Sequence, residues 1–317
     1  MDHNILVIGV GGGADQTLKR LKQTNIQNID YLTINSYSAA FPDINLGMFY
    51  SGHFIYEWPH IETWIELTIR AENDIREMIL KKSPSCVIIV AGFGGFTGTG
   101  SAPVVAHIVK SLNLFSVGII TTPFRWEGKE RKKRALSNIS HMKKYIDSFF
   151  IIDSDSVLEN IPDSYAPNFV DMFNLLDKRL CDIVKEFFSI SFNNVIHWTL
   201  ESLIYHIPKR SFAFYETETA SNIQEVENSI NNIKYEFVKN GINHESIKFM
   251  ITNIHVSSLS AIKMNHIQKI TSAINDSFHM SMHDLGIGIG ITIDDKVGDK
   301  IRIAILIFTI ALNLSSG

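Results

Sequence analysis

Cysteine is nearly absent: the 317 residues hold two, Cys86 and Cys181. That excludes a disulfide framework, and both residues read as buried thiols in a reducing compartment, Cys86 in an apolar strand-like run and Cys181 on a helical pattern. Long apolar runs are missing as well. The longest, residues 303–312, is too short to span a bilayer, which takes about 20 residues. The N-terminus enters the strand-like Ile5-Leu6-Val7-Ile8 with no basic-then-apolar leader, so no signal peptide is expected. A strong charge of one sign is also lacking. The formal net charge of −4 gives no polyanion-binding surface, and no nucleic-acid partner is expected. The one basic run, residues 129–134, reads as a solvated helix face or, more sharply, as a nucleotide or partner contact. Together these absences point to a cytoplasmic protein without direct membrane binding.

What is present is enough apolar material for two cores: 45% of the residues are hydrophobic and 20% charged. The first half alternates strand and helix. Strand patterns fall at 5–9, 31–34, 86–91, 116–121 and 149–152, and helical ones at 17–23, 102–112 and 130–146. Strands separated by helices of this length imply parallel crossovers and a doubly wound sheet. A long amphipathic helix is expected at 168–190, with Val170, Phe173, Leu176, Leu180, Ile183 and Phe187 at helical spacing. Beyond Pro208, strands are expected at 211–215, 246–254, 286–293 and 301–312, and helices at 222–240 and 257–275. The expected fold is therefore α/β: a Rossmann-like doubly wound parallel sheet (1–167), a central helix (168–190) and a smaller α/β domain with mixed pairing (191–317).

Two glycine-rich turns follow strands and precede helices. The first, Gly9-Val10-Gly11-Gly12-Gly13-Ala14-Asp15-Gln16, contains a formal G-x-G-x-x-A match to the dinucleotide fingerprint. A nicotinamide site wants an Asp or Glu about 20 residues on, where this chain has Asn35-Ser36-Tyr37. There is also no G-x-x-x-x-G-K-[ST] run, which argues against a P-loop enzyme. The second turn, residues 91–100, is more specific. Its glycines let peptide N–H groups converge on phosphate oxygens without Cβ interference. Thr97 and Thr99 add hydroxyls, and the following helix turns its positive end to the anion.

Here the chain resembles the FtsZ/tubulin family, in its bacterial FtsZ branch, over nearly its whole length. The resemblance runs through Ile8-Gly9-Val10-Gly11-Gly12-Gly13, then Thr97-Gly98-Thr99-Gly100-Ser101-Ala102-Pro103-Val104-Val105-Ala106, then Thr122-Pro123-Phe124-Arg125-Trp126-Glu127-Gly128-Lys129-Glu130-Arg131. It implies a GTPase fold and a guanine-nucleotide site. Gly11, Gly12, Gly13 and Gln16 would form the first phosphate loop, and Gly94, Gly95, Thr97, Gly98, Thr99 and Gly100 the second. Glu127 and Arg131 inherit sugar-side contacts, and the segment 147–155 resembles the next sugar-side loop. Phe173 falls where the family stacks an aromatic on the base, and Asp177 where it reads guanine with an Asn. A carboxylate accepts from guanine N1–H and N2–H₂ together, which would keep that preference. The alternative is that Asp177 is a solvated helix residue.

The departures are informative. Phe96 replaces a glycine of the family signature, Gln16 replaces an Asn, and Tyr37 stands where the family has an acidic residue near the phosphates and Mg²⁺. The segment 56–61, in place of the γ-phosphate loop, has no glycine. In the family, hydrolysis takes acidic residues of an N-x-D-x-x-D motif from the next subunit, which orient the attacking water. The corresponding stretch, Asn194-Val195-Ile196-His197-Trp198-Thr199-Leu200-Glu201, keeps one carboxylate, Glu201, acting in trans, with His197 either a substitute or structural.

The implied protein is thus a divergent FtsZ-like cytoskeletal protein. It would bind GTP or GDP, with Mg²⁺ an optional companion and no protein metal ligands. Its partner would be itself, head to tail in a filament, in cell division or a related process, with hydrolysis weak or lost. A second reading is a non-hydrolysing relative that co-assembles with or regulates another FtsZ. A third is a dinucleotide-dependent enzyme built on the first glycine turn. The family's C-terminal linker and tether-binding peptide are not visible before Gly317, so either the sequence is truncated or this relative does not use such adaptors, and direct membrane attachment has no sequence support.

Overall fold

A computed structural model describes residues 4–24, 26–35, 43–46, 49–50, 53–54, 60–159, 161, 167–192, 198–279 and 287–310. Tyr37, residues 56–59 and residues 194–197, all singled out from the sequence, lie outside the described residues. The chain divides into two compact units, Met1–Val184 and Lys185–Gly317.

The first unit runs β1 (Ile5–Val10), α1 (Gly12–Gln23), β2 (Ile29–Asn35), β3 (Ile44–Asn45), β4 (Phe49–Tyr50), β5 (His53–Phe54), α2 (Ile61–Arg70), α3 (Glu72–Lys82), β6 (Cys86–Gly92), α4 (Thr97–Ser111), β7 (Phe115–Thr122), α5 (Lys129–Met142) and β8 (Ser148–Asp153). Its sheet order is β3-β2-β1-β6-β7-β8, every pair parallel. The short β4 and β5 pair antiparallel with each other. Residues of β1 and of β6 up to Ala91 are fully buried, as a strand covered on both faces requires, and Cys86 is among them. Burial pushes the Cys86 thiol pKa up, so it is an inert core group. From β1 the chain winds toward β2 and β3 on one side. The strands β6, β7 and β8 wind the other way. That reversal opens a crevice at the carboxyl ends of β1 and β6, where ligands bind in doubly wound sheets.

The helix α6 (Phe169–Phe192) carries the apolar stripe read from the sequence, with Leu176, Leu180, Ile183 and Phe187 buried. The second unit continues with α7 (Leu200–His206), β9 (Ser211–Ala220), α8 (Val226–Lys239), β10 (Ile247–Val256), α9 (Met264–Phe278), β11 (Ile287–Ile293) and β12 (Ile301–Thr309). Its strands are ordered β9-β12-β10-β11, antiparallel except for the parallel pair β10–β11. Isoleucines of β12 (Ile303, Ile305, Ile307) meet Ile230, Ile233 and Phe237 of α8 and Ile270 and Ile274 of α9 in one core. One polar knot interrupts that unit. Glu186 accepts from the His255 ring (2.9 Å) and Asn253 (2.6 Å), while Arg302 lies 2.7 Å from His255 Nδ1. Among the described residues, no helix is long and apolar enough to cross a membrane.

Two helices begin earlier than their apolar periodicity suggests: α1 at Gly12 and α4 at Thr97. Glycine is a poor helix former, so a glycine turn reads as loop. Here the turns are themselves the first helical turns.

Candidate nucleotide site

The crevice is lined by backbone rather than by side chains. Gly11 follows β1 with φ +76°, and a Cβ on it would stand 2.7 Å from the Gly98 nitrogen. A Cβ on Gly98 would stand 2.5 Å from the Gly92 carbonyl oxygen, and one on Gly13 would be 3.1 Å from the Gly92 Cα. The two glycine turns are therefore pressed together peptide on peptide, at separations that no side chain fits. Gly12 and Gly95, by contrast, face open space. The caps of α1 and α4, Gly11 and Phe96, make no side-chain hydrogen bond to their helices. Two helix N-termini, each with peptide N–H groups not taken by a side-chain cap, thus meet at one point.

The second turn is braced from outside. Thr99 is fully buried, and its hydroxyl oxygen accepts from Gly94 N–H at 2.9 Å. Gly94 has φ +107°, and a Cβ there would collide with Pro123 Cγ at 2.3 Å. Arg134 donates to the Gly94 carbonyl (2.9 Å) and lies over the Phe96 ring, 4.2 Å from its centroid. Phe96, which replaces a glycine, is thus held against α5 by a cation–π contact. The basic run is not simply a solvated face either. Arg134 pins the turn, Lys132 reaches Asp153 (2.9 Å) and Thr122 (3.0 Å), and Arg131 pairs with Glu127 at 2.5 Å. Glu127 also accepts from Phe124 N–H (3.0 Å), closing a short 3₁₀ turn, Arg125–Glu127.

At the other end, Phe173 of α6 sits in an aromatic cluster. It meets Phe124 edge to face (centroids 5.5 Å) and Phe169 at 5.0 Å, while Trp126 stacks on Phe124 at 5.7 Å. One turn further along α6, Asp177 is 8% exposed, which overturns the solvated alternative. Its Oδ1 accepts from Thr17 Oγ1 of α1 at 2.7 Å. Burial raises its pKa, opposed by the Thr17 hydrogen bond and the nearby Arg20 guanidinium. Arg20 itself donates to Asn174. Gln16 is exposed, just past the first turn of α1.

Sequence reasoning missed Asp15, Trp126 and Phe169. Asp15 follows the first glycines. Asn35 donates to its Oδ2 (2.9 Å), whereas its Oδ1 is sealed from solvent with no hydrogen-bond partner among the described residues. Burial raises this carboxyl's pKa, with Asn35 acting against it. An acid inside a glycine turn was the available signal. Glu201 belongs to the second unit: it is exposed on α7, whose cap Thr199 accepts from Ser202 N–H (3.2 Å).

The parallel sheet and paired glycine turns agree with a family comparison. The family model described as "Tubulin/FtsZ family, GTPase domain" matches residues 4–162. The chain belongs to the tubulin/FtsZ family. Within it, the chain is 27% identical over 307 residues to the cell division protein FtsZ of Buchnera aphidicola subsp. Baizongia pistaciae, covering 95% of this chain and 78% of the relative. Among solved structures it is similar to the empty FtsZ dimer of M. jannaschii (TM-score 0.83, 20% identity, 97% of this chain and 88% of that one). It is also similar to CetZ2 from Haloferax volcanii, solved as a GTPγS-bound protofilament (TM-score 0.75, 14% identity, 96% and 92%). The FtsZ-like fold thus extends over both units of the chain.

Proposed function

We propose that this tubulin/FtsZ-family chain binds a guanine nucleotide at the glycine crevice and assembles head to tail with further copies of itself. The observation that carries the proposal is the peptide-on-peptide contact of Gly11 with Gly98, where two helix starts lacking side-chain caps converge. A cradle that any Cβ would fill suits a phosphate chain and little else. In this reading the N–H groups of Gly12, Gly13 and the α4 start donate to phosphate oxygens. Glu127 and Arg131 lie on the sugar side, and Phe173 presents its ring to the base. Thr17 holds Asp177 Oδ1, so Oδ2 is offered to the guanine edge. Gln16, Gly94, Gly95, Thr97, Thr99 and Gly100 shape the two turns.

Among the described residues, no group of three or more His, Cys, Asp or Glu is placed to hold a metal ion. A Mg²⁺ would therefore travel with the nucleotide, bound by phosphate oxygens and water, as this ion generally prefers. Hydrolysis is proposed to be slow, because the in-trans segment retains the single carboxylate Glu201. The filament-forming part of the proposal is supported by relatives solved as a dimer and a protofilament.

The test is calorimetric titration with GDP and GTP in Mg²⁺, then sedimentation and phosphate release with GTP. Binding and pelletable polymer with little phosphate release are expected. Release at a rate that Glu201→Ala abolishes would contradict slow hydrolysis, and absence of guanine-nucleotide binding would remove the whole proposal. Pelleting only when another FtsZ is added would favour co-assembly.

A further inference from the structure

The aromatic cluster around Phe173 is larger than a single stacking residue requires, and it is open. Trp126 is 53% exposed, Phe169 60% and Phe173 38%, yet their rings touch: Trp126 to Phe169 at 5.4 Å and Phe169 to Phe173 at 5.0 Å. Large aromatic rings gathered in mutual contact at a surface mark a binding site more often than chance exposure does. Their support is rigid. Phe124 is 1% exposed and carries Trp126 on its face (16° between planes) and Phe173 against its edge. The cluster is also continuous with the glycine crevice. Pro123, next to Phe124, is what a Cβ on Gly94 would strike, and Asp177 lies one turn along α6 from Phe173.

We infer that Trp126 and Phe169 are base-binding residues which, with Phe173, form a three-ring pocket that selects a purine over a pyrimidine base. The inference rests on the nucleotide reading above and extends it. An occupant here must be flat, apolar on its faces and polar on its edge. The open rings supply π surface, and the buried Asp177 carboxylate supplies an edge acceptor. A purine meets all three conditions and covers more ring surface than a pyrimidine, and stacking strength grows with that overlap. Trp126 stacks one face on Phe124, so the solvent-exposed part of the indole is available to a ligand.

The experiment titrates the full chain and its W126A, F169A, F173A and W126F variants with GDP, UDP and inorganic triphosphate, following heat and tryptophan fluorescence. W126A and F169A should each weaken GDP about tenfold, weaken UDP less and leave inorganic triphosphate unchanged. W126F should recover most of the affinity that W126A loses while reducing the fluorescence change on GDP addition, because three other tryptophans remain. GDP binding within about twofold of the parent in both W126A and F169A, with F173A weakened, would overturn this inference and leave the proposed nucleotide site standing. A fluorescence change in W126F as large as the parent's would remove Trp126 from the pocket, since Trp64, packed beside Gly100, is left to report on the phosphate end alone. Full GDP affinity in F173A as well, or none in the parent, would overturn the nucleotide reading itself. Altered sedimentation of W126A and F169A with unchanged GDP affinity would show a protein interface instead, and overturn the inference.

Discussion

The two ends of the candidate site are built by opposite means. At the phosphate end the working surface is peptide backbone, and its defining residues matter for side chains they do not have. At the base end it is side chains: Phe173, Trp126, Phe169 and the buried Asp177. Where its glycines touch, at Gly11, Gly13 and Gly98, the backbone cradle tolerates no growth, because the clash is with another backbone that cannot rotate away. A side-chain pocket loses affinity by degrees as atoms are removed. Substitutions should therefore act almost all-or-none at the contacting glycines and in graded steps at the base end.

The largest effect is expected from Gly98→Ala. Its methyl would lie 2.5 Å from the Gly92 carbonyl oxygen of the same turn and 3.3 Å from the Val10 carbonyl oxygen at the end of β1, so the second turn must open and shift off β1. Denaturant unfolding should show a loss of about 2–3 kcal/mol, and guanine-nucleotide binding should vanish. Wild-type affinity in this variant would show that the tight approach of the turns is not what binds phosphate.

Next is Asp177→Ala, at the other end. It should cost about 2 kcal/mol of guanine binding, near thirtyfold, from the loss of charge-assisted hydrogen bonds. It should cost stability too, since the buried Thr17 hydroxyl loses its acceptor. Competition of GDP with ADP measures the specificity, which should fall with the affinity. Unchanged discrimination would leave Asp177 a purely structural link between α1 and α6.

Gly12→Ala separates folding from binding within the cradle. A Cβ at Gly12 meets nothing within 4 Å, and the residue begins α1 without positive φ. The substitution should stabilise the fold by about 0.5–1 kcal/mol through the unfolded chain and helix propensity. The same methyl would project toward the phosphates and weaken nucleotide about fivefold, near 1 kcal/mol. Thermal melts with and without GDP read both effects. A variant that is both more stable and a tighter binder would place the phosphates elsewhere.

These contrasts follow how much of the molecule the sequence revealed. The buried strands were legible because β1 and β6 are continuous apolar runs, and the glycine turns because glycine clustering has few other uses. The helical nature of those turns was hidden, since low propensity at Gly12 and Gly98 is overridden by tertiary packing of the two backbones. The role of Thr99 as a brace was hidden for a related reason: its partner, Gly94 N–H, lies within the same turn but is aligned only by the fold. Contacts between distant positions left no local pattern. Arg134 with Gly94 and Phe96, Asp15 with Asn35, and the Glu186–His255–Arg302 knot are products of topology. Trp126 and Phe169 sit on a 3₁₀ turn and at a helix start, where aromatic periodicity carries no signal.

The smallest effect is expected at Asp15, which breaks the rule that side chains are absent from the phosphate end. Its carboxyl pKa is raised above 3.8 by burial, and one of its oxygens has no hydrogen-bond partner among the described residues. The folded chain thus holds this proton more tightly than the unfolded chain does. Its contribution to stability is fully present below pH 3.8 and is lost as pH rises through the folded pKa. At neutral pH the ionised group is a standing penalty and a like charge beside the phosphates. Asp15→Asn keeps the shape and removes the charge. It should raise Tm by about 2 °C at pH 7, tighten GDP about twofold to threefold, and lose both advantages in acid where the parent carboxyl is protonated. Melts and titrations across pH 4–7 would check this. If the variant instead binds nucleotide more weakly, and only when Mg²⁺ is present, then Asp15 helps to hold the accompanying ion, and the phosphate end has acquired a side chain of its own.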